Sequence, residues 1–170
     1  RIIDVGTGSG AIGIIIAKRT RTRVVCTDVS LDALSVAKQN ASVLRATDKI
    51  VFLCSDLFGG IRKGETFDMV IANLPYVSPE DWSSLMVDVK EYEPKTALLG
   101  GRGGLGVYRS FAKELPYHLK EDGHVLCEID GKVQAEQLGE MLSSVGLNIV
   151  TKKDYSQRER VLIGAWTSSS

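Results

Sequence analysis

A glycine-rich segment at residues 4–13 is the first place where residue types and spacing suggest chemistry. It reads Asp-Val-Gly-Thr-Gly-Ser-Gly-Ala-Ile-Gly and follows directly on an apolar run of strand length. Glycines let the backbone approach a ligand closely, and the N-terminus of the following helix points at that ligand. The spacing Gly8-x-Gly10-x-x-Gly13 also satisfies the dinucleotide-binding fingerprint. The loop alone therefore leaves the ligand open, and a tight strand–helix turn is the purely structural alternative.

Two aspartates stand at the ends of later strands. Asp28 ends the second predicted strand, 20 residues after Gly8. A carboxylate at this position can accept hydrogen bonds from ribose hydroxyls. Asp56 ends the third predicted strand, where it can reach an adenine amino group or serve equally well as a turn or cap residue.

An alternation of strands and helices must position these residues. Most of the apolar runs are nearly continuous, as expected for strands that are covered on both faces. They predict strands at residues 2–5, 24–27, 50–54, 67–72, 125–129, 147–151 and 161–166. Helical patterns occupy residues 31–44 after a Ser30 cap, residues 105–115, and residues 138–145 before Gly146. The alternation predicts an α/β fold with a doubly wound, mostly parallel sheet, which binds ligands beyond the carboxyl ends of its strands.

The pattern Asp4-x-Gly6-x-Gly8-x-Gly10 resembles the nucleotide loop of class I S-adenosylmethionine-dependent methyltransferases. The resemblance implies a Rossmann-like fold with a seven-stranded, mostly parallel sheet whose last strand is antiparallel. It implies one methyltransferase domain over residues 1–167, and the run of three serines at residues 168–170 predicts a disordered tail. The implied cofactor is S-adenosylmethionine, with S-adenosylhomocysteine as its product. The implied cofactor-binding residues are Asp4, Gly6, Thr7, Gly8, Gly10, Asp28, Asp56 and Asn73.

Residues 73–76, Asn-Leu-Pro-Tyr, follow the fourth predicted strand and resemble the Asn-Pro-Pro-Tyr motif of methyltransferases that act on planar amino groups. The lone pair of such a nitrogen is delocalised, so the nitrogen must be held with that lone pair toward the methyl group. The Asn73 side-chain oxygen and the next backbone carbonyl can accept its two N–H bonds, while Tyr76 packs on the planar group. Leu74 replaces a proline of the commoner motif but supplies the same carbonyl. The implied catalytic residues are Asn73, Leu74, Pro75 and Tyr76.

The segment at residues 91–109 favours one acceptor class. Its Tyr-Glu-Pro, Ala-Leu, Gly-Gly, Gly-Leu and Tyr-Arg pieces look like the PrmC/HemK family, the glutamine methyltransferases of peptide-chain release factors. The resemblance runs from Asp4 to about Val161 and implies methylation of the glutamine in a Gly-Gly-Gln loop, a protein modification of translation termination. The family's helical N-terminal domain is absent, so we expect a catalytic domain only. The family's Glu-Ile-Gly-x-x-Gln is one residue longer here, between Glu128 and Gln134, and Glu128 is given no catalytic role.

Composition restricts the partners. The chain has 170 residues, of which 44% are hydrophobic and 25% charged, enough for one domain with its own core. Basic and acidic side chains number 21 each, with a net charge of +5 over residues 1–63 and −5 over residues 64–170. This balance disfavours nucleic acid as a partner, and no apolar run is long enough for a membrane. Cys26, Cys54 and Cys127 are predicted to be buried core residues, without disulfide or metal, in a reducing cytoplasm.

Three other functions remain open from the sequence. An RNA or DNA adenine amino-methyltransferase would share residues 73–76, since Asn-Leu-Pro-Tyr also occurs in ribosomal-RNA dimethyltransferases, and it would need a basic groove beside Tyr76. A nicotinamide-dependent oxidoreductase would use the glycine loop but leave residues 73–76 unexplained. A catalytically silent interaction module would not bind S-adenosylmethionine.

Overall fold

This computed structural model describes residues 1–76, 100 and 104–167, and these residues contain a seven-stranded sheet. Its strands are β1 (Ile2–Val5), β2 (Val24–Asp28), β3 (Ile50–Cys54), β4 (Phe67–Ala72), β5 (Leu119–Glu128), β6 (Leu147–Lys153) and β7 (Glu159–Trp166). Their order across the sheet is β3-β2-β1-β4-β5-β7-β6. β1 pairs in parallel with β2 and β4, β2 pairs in parallel with β3, and β7 is antiparallel to β6. The predicted fold class is confirmed.

Two of the helices, at residues 31–43 and 106–114, lie where the apolar periodicity predicts them, a third begins six residues before its predicted start at residue 138, and another follows the glycine loop. The described residues contain α1 (Ala11–Arg19), α2 (Leu31–Val43), α3 (Gly106–Glu114) and α4 (Lys132–Ser144). Ser30 caps α2 as predicted, because its hydroxyl accepts the N–H of Ala33 at 3.2 Å. Gly146, predicted to close α4, has a φ of +100°, a conformation that favours glycine. Within the described residues, no helix is both long enough and apolar enough to cross a membrane.

Strand β5 is longer than its sequence pattern predicts. The prediction covers residues 125–129, but the strand runs from Leu119 to Glu128, so His124 lies within it. Its first half has charged, exposed residues between Leu119 and Gly123, which conceal the strand in a search for continuous apolar runs. His118, just before the strand, is buried and stacks on Phe58 with ring centroids 4.8 Å apart.

The chain divides into two compact units, Arg1–Asn73 with Glu114–Leu126, and Leu74–Lys113 with Cys127–Ser170. The extent of a single domain over residues 1–167 stays a prediction, and the predicted tail at 168–170 lies outside the described residues. In the first unit, a hydrophobic cluster packs α1 and α2 against β2 and β3. Its buried members are Ile14, Ala17, Val24, Cys26, Ala41, Ala46 and Ile50.

The three cysteines differ in their surroundings. Cys26 and Cys127 are fully buried, as predicted, and burial raises the pKa of the Cys26 thiol to about 12. Cys54 is exposed, so the prediction that it is a core residue is wrong. It is the last residue of β3, which lies at the edge of the sheet, and it therefore lacks the two-sided cover of a central strand.

Candidate active site

The carboxyl ends of the parallel strands β1 to β4 meet at one edge of the sheet in the first unit. Val5 of β1 lies opposite the residue before Asp28 in β2 and opposite the residue before Asn73 in β4. Gly6 after β1, Asp28 as the last residue of β2 and Asn73 after β4 consequently lie at the same level across the sheet. Residues predicted from three separate segments thus lie together where parallel sheets bind their ligands.

The glycine loop adopts a conformation that only glycine tolerates well. Gly6, Gly8 and Gly10 have φ values of +69°, +55° and +81°, in the left-handed region. A Cβ added at Gly8 would meet no atom within 4 Å, so the backbone there faces open space. Helix α1 begins directly after Gly10, so the positive end of its helix dipole lies at this loop.

Asp4 lies beneath this loop rather than on its surface. Its side chain is 1% exposed, and its Oδ2 accepts the hydroxyl of Thr7 at 2.6 Å and the N–H of Gly13 at 2.9 Å. Burial raises the pKa of the Asp4 carboxyl, with a smaller contribution from the charge of Asp28, while the two hydrogen bonds oppose the increase. Asp4 and Thr7 therefore hold the loop in shape, and their predicted contact with the cofactor stays a prediction.

Asp28 is half-buried and already bonded on both oxygens. Its Oδ2 accepts the N–H of Gly8 at 2.8 Å, and its Oδ1 accepts the N–H of Ser30 at 2.9 Å. The carboxylate thus links the glycine loop to the start of α2. Each carboxylate oxygen can accept a second hydrogen bond, so Asp28 retains capacity for two ligand hydroxyls.

Gly13 allows α1 to pack closely on β2, and it provides a test of the loop's architecture. A Cβ there would overlap Cys26 Sγ and lie 3.0 Å from Asp4 Oδ2. We expect Gly13→Ala to lower the free energy of unfolding by about 1–3 kcal/mol, the usual cost of overpacking a core. Chemical denaturation measures this change.

The matched control is Gly139→Ala in α4. A Cβ at Gly139 would make ordinary contacts with Ile149 at 3.7 Å and Leu162 at 3.9 Å. This variant should gain up to about 1 kcal/mol, because alanine favours helices. A gain of stability in both variants would contradict the close packing inferred at Gly13.

Asp56 is exposed in the turn after β3. Ser55 orders this turn, since its Oγ accepts the N–H of Gly60 at 2.7 Å and donates to the Leu57 carbonyl at 3.2 Å. Leu57 has a φ of +46°, which is uncommon for a residue with a side chain. The turn presents the Asp56 carboxylate to solvent two residues beyond the end of β3, and its contact with a ligand stays a prediction.

The predicted catalytic segment, residues 73–76, begins directly after β4, and its first two residues differ in their exposure to solvent. The Asn73 side chain is exposed, whereas Leu74 is only 3% exposed. In the second unit, the hydroxyl of Tyr108 lies 3.3 Å from the Leu74 nitrogen, whose N–H it accepts. The same hydroxyl donates to the Glu128 carbonyl at 2.8 Å. In the sequence, Tyr108 belongs to the predicted helix at 105–115 and to the family-like Tyr-Arg piece, but no contact of its hydroxyl is predicted.

Gln134 is a second residue whose role the sequence did not indicate. Its Nε2 donates to the Tyr76 carbonyl at 3.3 Å, and its Oε1 accepts the N–H of Asp130 at 2.7 Å. The family's Glu-Ile-Gly-x-x-Gln motif contained the signal, but the extra residue in this chain concealed it. The amide of Gln134 therefore connects the end of the predicted catalytic segment to the loop after β5.

Charged side chains surround Tyr76 in the second unit. Burial raises the pKa of the Tyr76 hydroxyl, and the charges of Glu128 and Asp130 raise it further, while Arg160 and Arg158 oppose them. Both arginines bind Asp130 Oδ1, at 2.9 Å for Arg158 and 3.1 Å for Arg160. The Tyr76 hydroxyl is therefore neutral near pH 7, which suits it to packing and hydrogen bonding.

Gly100 lies against the backbone of the predicted catalytic segment, at Pro75. A Cβ there would lie 2.5 Å from the Pro75 carbonyl oxygen, so no side chain fits. The Gly100 carbonyl also accepts the N–H of Gly106, the first residue of α3, at 2.6 Å. Most of the family-like segment, including its Tyr-Glu-Pro piece, lies outside the described residues.

Comparison with curated proteins supports the predicted resemblance. The release factor glutamine methyltransferase of Clostridium acetobutylicum is 39% identical over 166 residues, covering 96% of this chain and 58% of that protein. The enzyme of the same name from Bacillus cereus is 42% identical over 143 residues, covering 83% of this chain and 50% of that protein. The chain thus spans little more than half the length of these relatives. The resemblance to release factor glutamine methyltransferases is confirmed.

Solved structures support the fold. The ribosomal protein L11 methylase of Lactobacillus delbrueckii has a TM-score of 0.71 and 21% identity, covering 98% of this chain and 70% of its own. A T. thermophilus 16S rRNA methyltransferase, solved with S-adenosylmethionine and guanosine, has a TM-score of 0.69 and 16% identity, covering 98% of this chain and 37% of its own. At these identities the likeness shows the fold alone. A family model described as a methyltransferase domain matches residues 2–92, more than half of the chain. With its glycine loop, strand-end carboxylates and sheet order, this chain belongs to that methyltransferase domain family.

Proposed function

We propose that this chain transfers a methyl group from S-adenosylmethionine to the side-chain amide nitrogen of the glutamine in a Gly-Gly-Gln loop of a peptide-chain release factor. The observation that carries the proposal is the position of Asn73, the first residue of the Asn-Leu-Pro-Tyr segment. Asn73 directly follows β4, at the carboxyl end of the parallel strands, and is level with Gly6 of the glycine loop. The names of the relatives support the acceptor, and the family supports the donor.

The residues of the first unit fit the cofactor. When bound, S-adenosylmethionine supplies a sulfonium methyl group and leaves as S-adenosylhomocysteine. Gly6, Gly8 and Gly10 give it a backbone surface without side chains, and Gly8 faces open space. Asp28 would accept its ribose hydroxyls, and Asp56 would accept from its adenine amino group. The fit rests on the open backbone at Gly8 and on the remaining acceptor capacity of the Asp28 carboxylate.

Residues 73–76 would hold the acceptor. The Asn73 amide oxygen and the Leu74 carbonyl would accept the two N–H bonds of the glutamine amide, which turns its lone pair toward the methyl carbon. Tyr76 and Pro75, both half-buried, would pack on the planar amide. The nitrogen would form its new bond to the methyl carbon as the bond between that carbon and sulfur breaks, and it would then lose one proton to solvent. Orientation of the acceptor and electrostatic stabilisation would account for the rate acceleration, so no covalent intermediate with the protein is needed.

Charge supports a protein acceptor over a nucleic acid. Residues 64–170 include the segment proposed to hold the acceptor, and their net charge is −5. An enzyme that follows phosphates needs the opposite sign, because Lys and Arg contacts dominate its affinity. We place the proposed reaction in the cytoplasm, where translation termination takes place, with the release factor as partner.

Mass spectrometry of a release factor incubated with this chain and S-adenosylmethionine tests the proposal. We expect a mass gain of one CH₂ group on the loop glutamine, and no gain when that glutamine is replaced by alanine. The full-length Clostridium acetobutylicum relative serves as positive control for the substrate. Since the chain is shorter than its relatives, a negative result is repeated with the N-terminal part of that relative fused ahead of residue 1. The glutamine assignment fails if the fusion ignores the release factor but methylates adenine in RNA.

A further inference from the structure

Residues 73–76, Asn-Leu-Pro-Tyr, differ from the Asn-Pro-Pro-Tyr motif in having a backbone N–H at the second residue, Leu74. In Asn-Pro-Pro-Tyr the second residue is a proline, which has no N–H and a fixed φ. Leu74 has an N–H, and the residue is only 3% exposed. A buried N–H without a partner is costly, and a leucine leaves φ free where a proline would fix it.

We propose that the Tyr108 hydroxyl is a positioning group that replaces this lost rigidity by accepting the Leu74 N–H. The N–H belongs to the peptide plane between Asn73 and Leu74. Fixing that plane sets ψ of Asn73 and φ of Leu74. It therefore restricts the backbone from which both groups that would accept the glutamine amide project, the Asn73 side chain and the Leu74 carbonyl.

The hydroxyl is well placed for this task. Tyr108 is 0% exposed, and its ring packs edge-on against Phe111 with centroids 6.1 Å apart. Its hydrogen is committed to the Glu128 carbonyl at 2.8 Å, which leaves a lone pair for the Leu74 N–H at 3.3 Å. Burial holds the pKa of this hydroxyl well above its ordinary value, so it keeps its proton across any practical assay range. Tyr108 thus ties Leu74 to the carboxyl end of β5.

A double-mutant cycle of Tyr108→Phe and Leu74→Pro tests the inference, which rests on the proposed function. Tyr108→Phe should lower kcat about tenfold, the effect of one unsatisfied buried N–H, and should leave cofactor affinity within about twofold. In the Leu74→Pro background, which has no N–H to satisfy, the same change should cost markedly less. Tyr117→Phe, at a tyrosine that is 64% exposed, is the matched control and should leave kcat unchanged.

Amide hydrogen exchange provides a readout that does not depend on activity. Tyr108→Phe should accelerate exchange at the Leu74 N–H, while the N–H of Val70 inside β4 stays protected. If Leu74→Pro fails to fold, this exchange measurement alone tests whether the Tyr108 hydroxyl holds the Leu74 N–H. Equal losses of kcat in both backgrounds, or unchanged exchange at Leu74, would overturn the inference. If the glutamine proposal alone fails, the exchange result still stands, and the cycle is repeated on whichever acceptor is methylated.

Discussion

Replacing Asn73 with alanine should lower kcat for glutamine methylation by about 10²-fold, the usual effect of removing one preorganised electrostatic contact. The Asn73 side chain is exposed at the carboxyl edge, level with Gly6, and its amide oxygen can accept one N–H of the acceptor. The contact aligns the nitrogen lone pair, so its loss acts on the chemical step. Affinity for S-adenosylmethionine should change little. Single-turnover kinetics and calorimetric titration of the cofactor measure the two effects separately.

Asn148→Ala is the matched control for this prediction. Asn148 is an exposed asparagine in β6, away from the catalytic segment in sequence, and its loss should leave both kcat and affinity unchanged. If Asn73→Ala reduces cofactor affinity and rate by the same factor, then Asn73 supports the cofactor site as a whole. In that case its proposed role on the acceptor would be wrong.

The strands of the parallel part could be predicted because central parallel strands leave a strong signal. β1, β3 and β4 have the predicted bounds, and β2 is one residue longer. Burial on both faces requires nearly continuous apolar residues, and such runs are easily recognised. The start of β5 is partly exposed and lacks a continuous apolar run, so the sequence does not predict its first six residues as strand. Helix caps such as Ser30 can also be predicted from the sequence, because a cap depends only on residues that are close along the chain.

Contacts between distant residues could not be predicted in the same way. Tyr108 reaches Leu74 across 34 positions, and Gln134 reaches Tyr76 across 58. Tyr108 lies on α3 and Gln134 lies on α4, and nothing in the local pattern of either helix shows which backbone group the side chain meets. A resemblance to a family identifies the segment in which such residues lie, but the partner of each side chain depends on tertiary packing.

Spacing also fails to separate a residue that would contact a ligand from one that shapes the loop. Asp4 and Asp28 are both acidic residues at strand ends, and both were predicted to bind the cofactor. In the structure Asp4 is 1% exposed and bonded to Thr7 and Gly13, whereas Asp28 is half-buried at the edge. The difference depends on the level of each residue along the strands, because Asp4 is level with Cys26, two positions before Asp28 at the end of β2. This makes Asp28 the stronger candidate for direct binding.

Removing the Asp28 carboxylate should therefore weaken S-adenosylmethionine binding by about 10²-fold. Hydrogen bonds to a charged group contribute roughly 1.5–3 kcal/mol each, and Asp28 can accept two ribose hydroxyls. Asp28→Ala also frees the N–H groups of Gly8 and Ser30, which loosens the link between the glycine loop and α2. Loss of the ligand contacts and loss of loop order act in the same direction. Isothermal titration calorimetry with S-adenosylmethionine measures the sum.

Asp32→Ala distinguishes this geometric effect from a general loss of negative charge. Asp32 is exposed in the first turn of α2, four residues beyond Asp28, so the variant removes the same charge from the same region. Its effect on affinity should be small, because exposed charges without direct contact are screened by solvent and salt. Equal losses in both variants would show that charge alone matters. Unchanged affinity in Asp28→Ala would remove Asp28 from the site and leave the cofactor held by the glycine loop and the residues that follow β3 and β4.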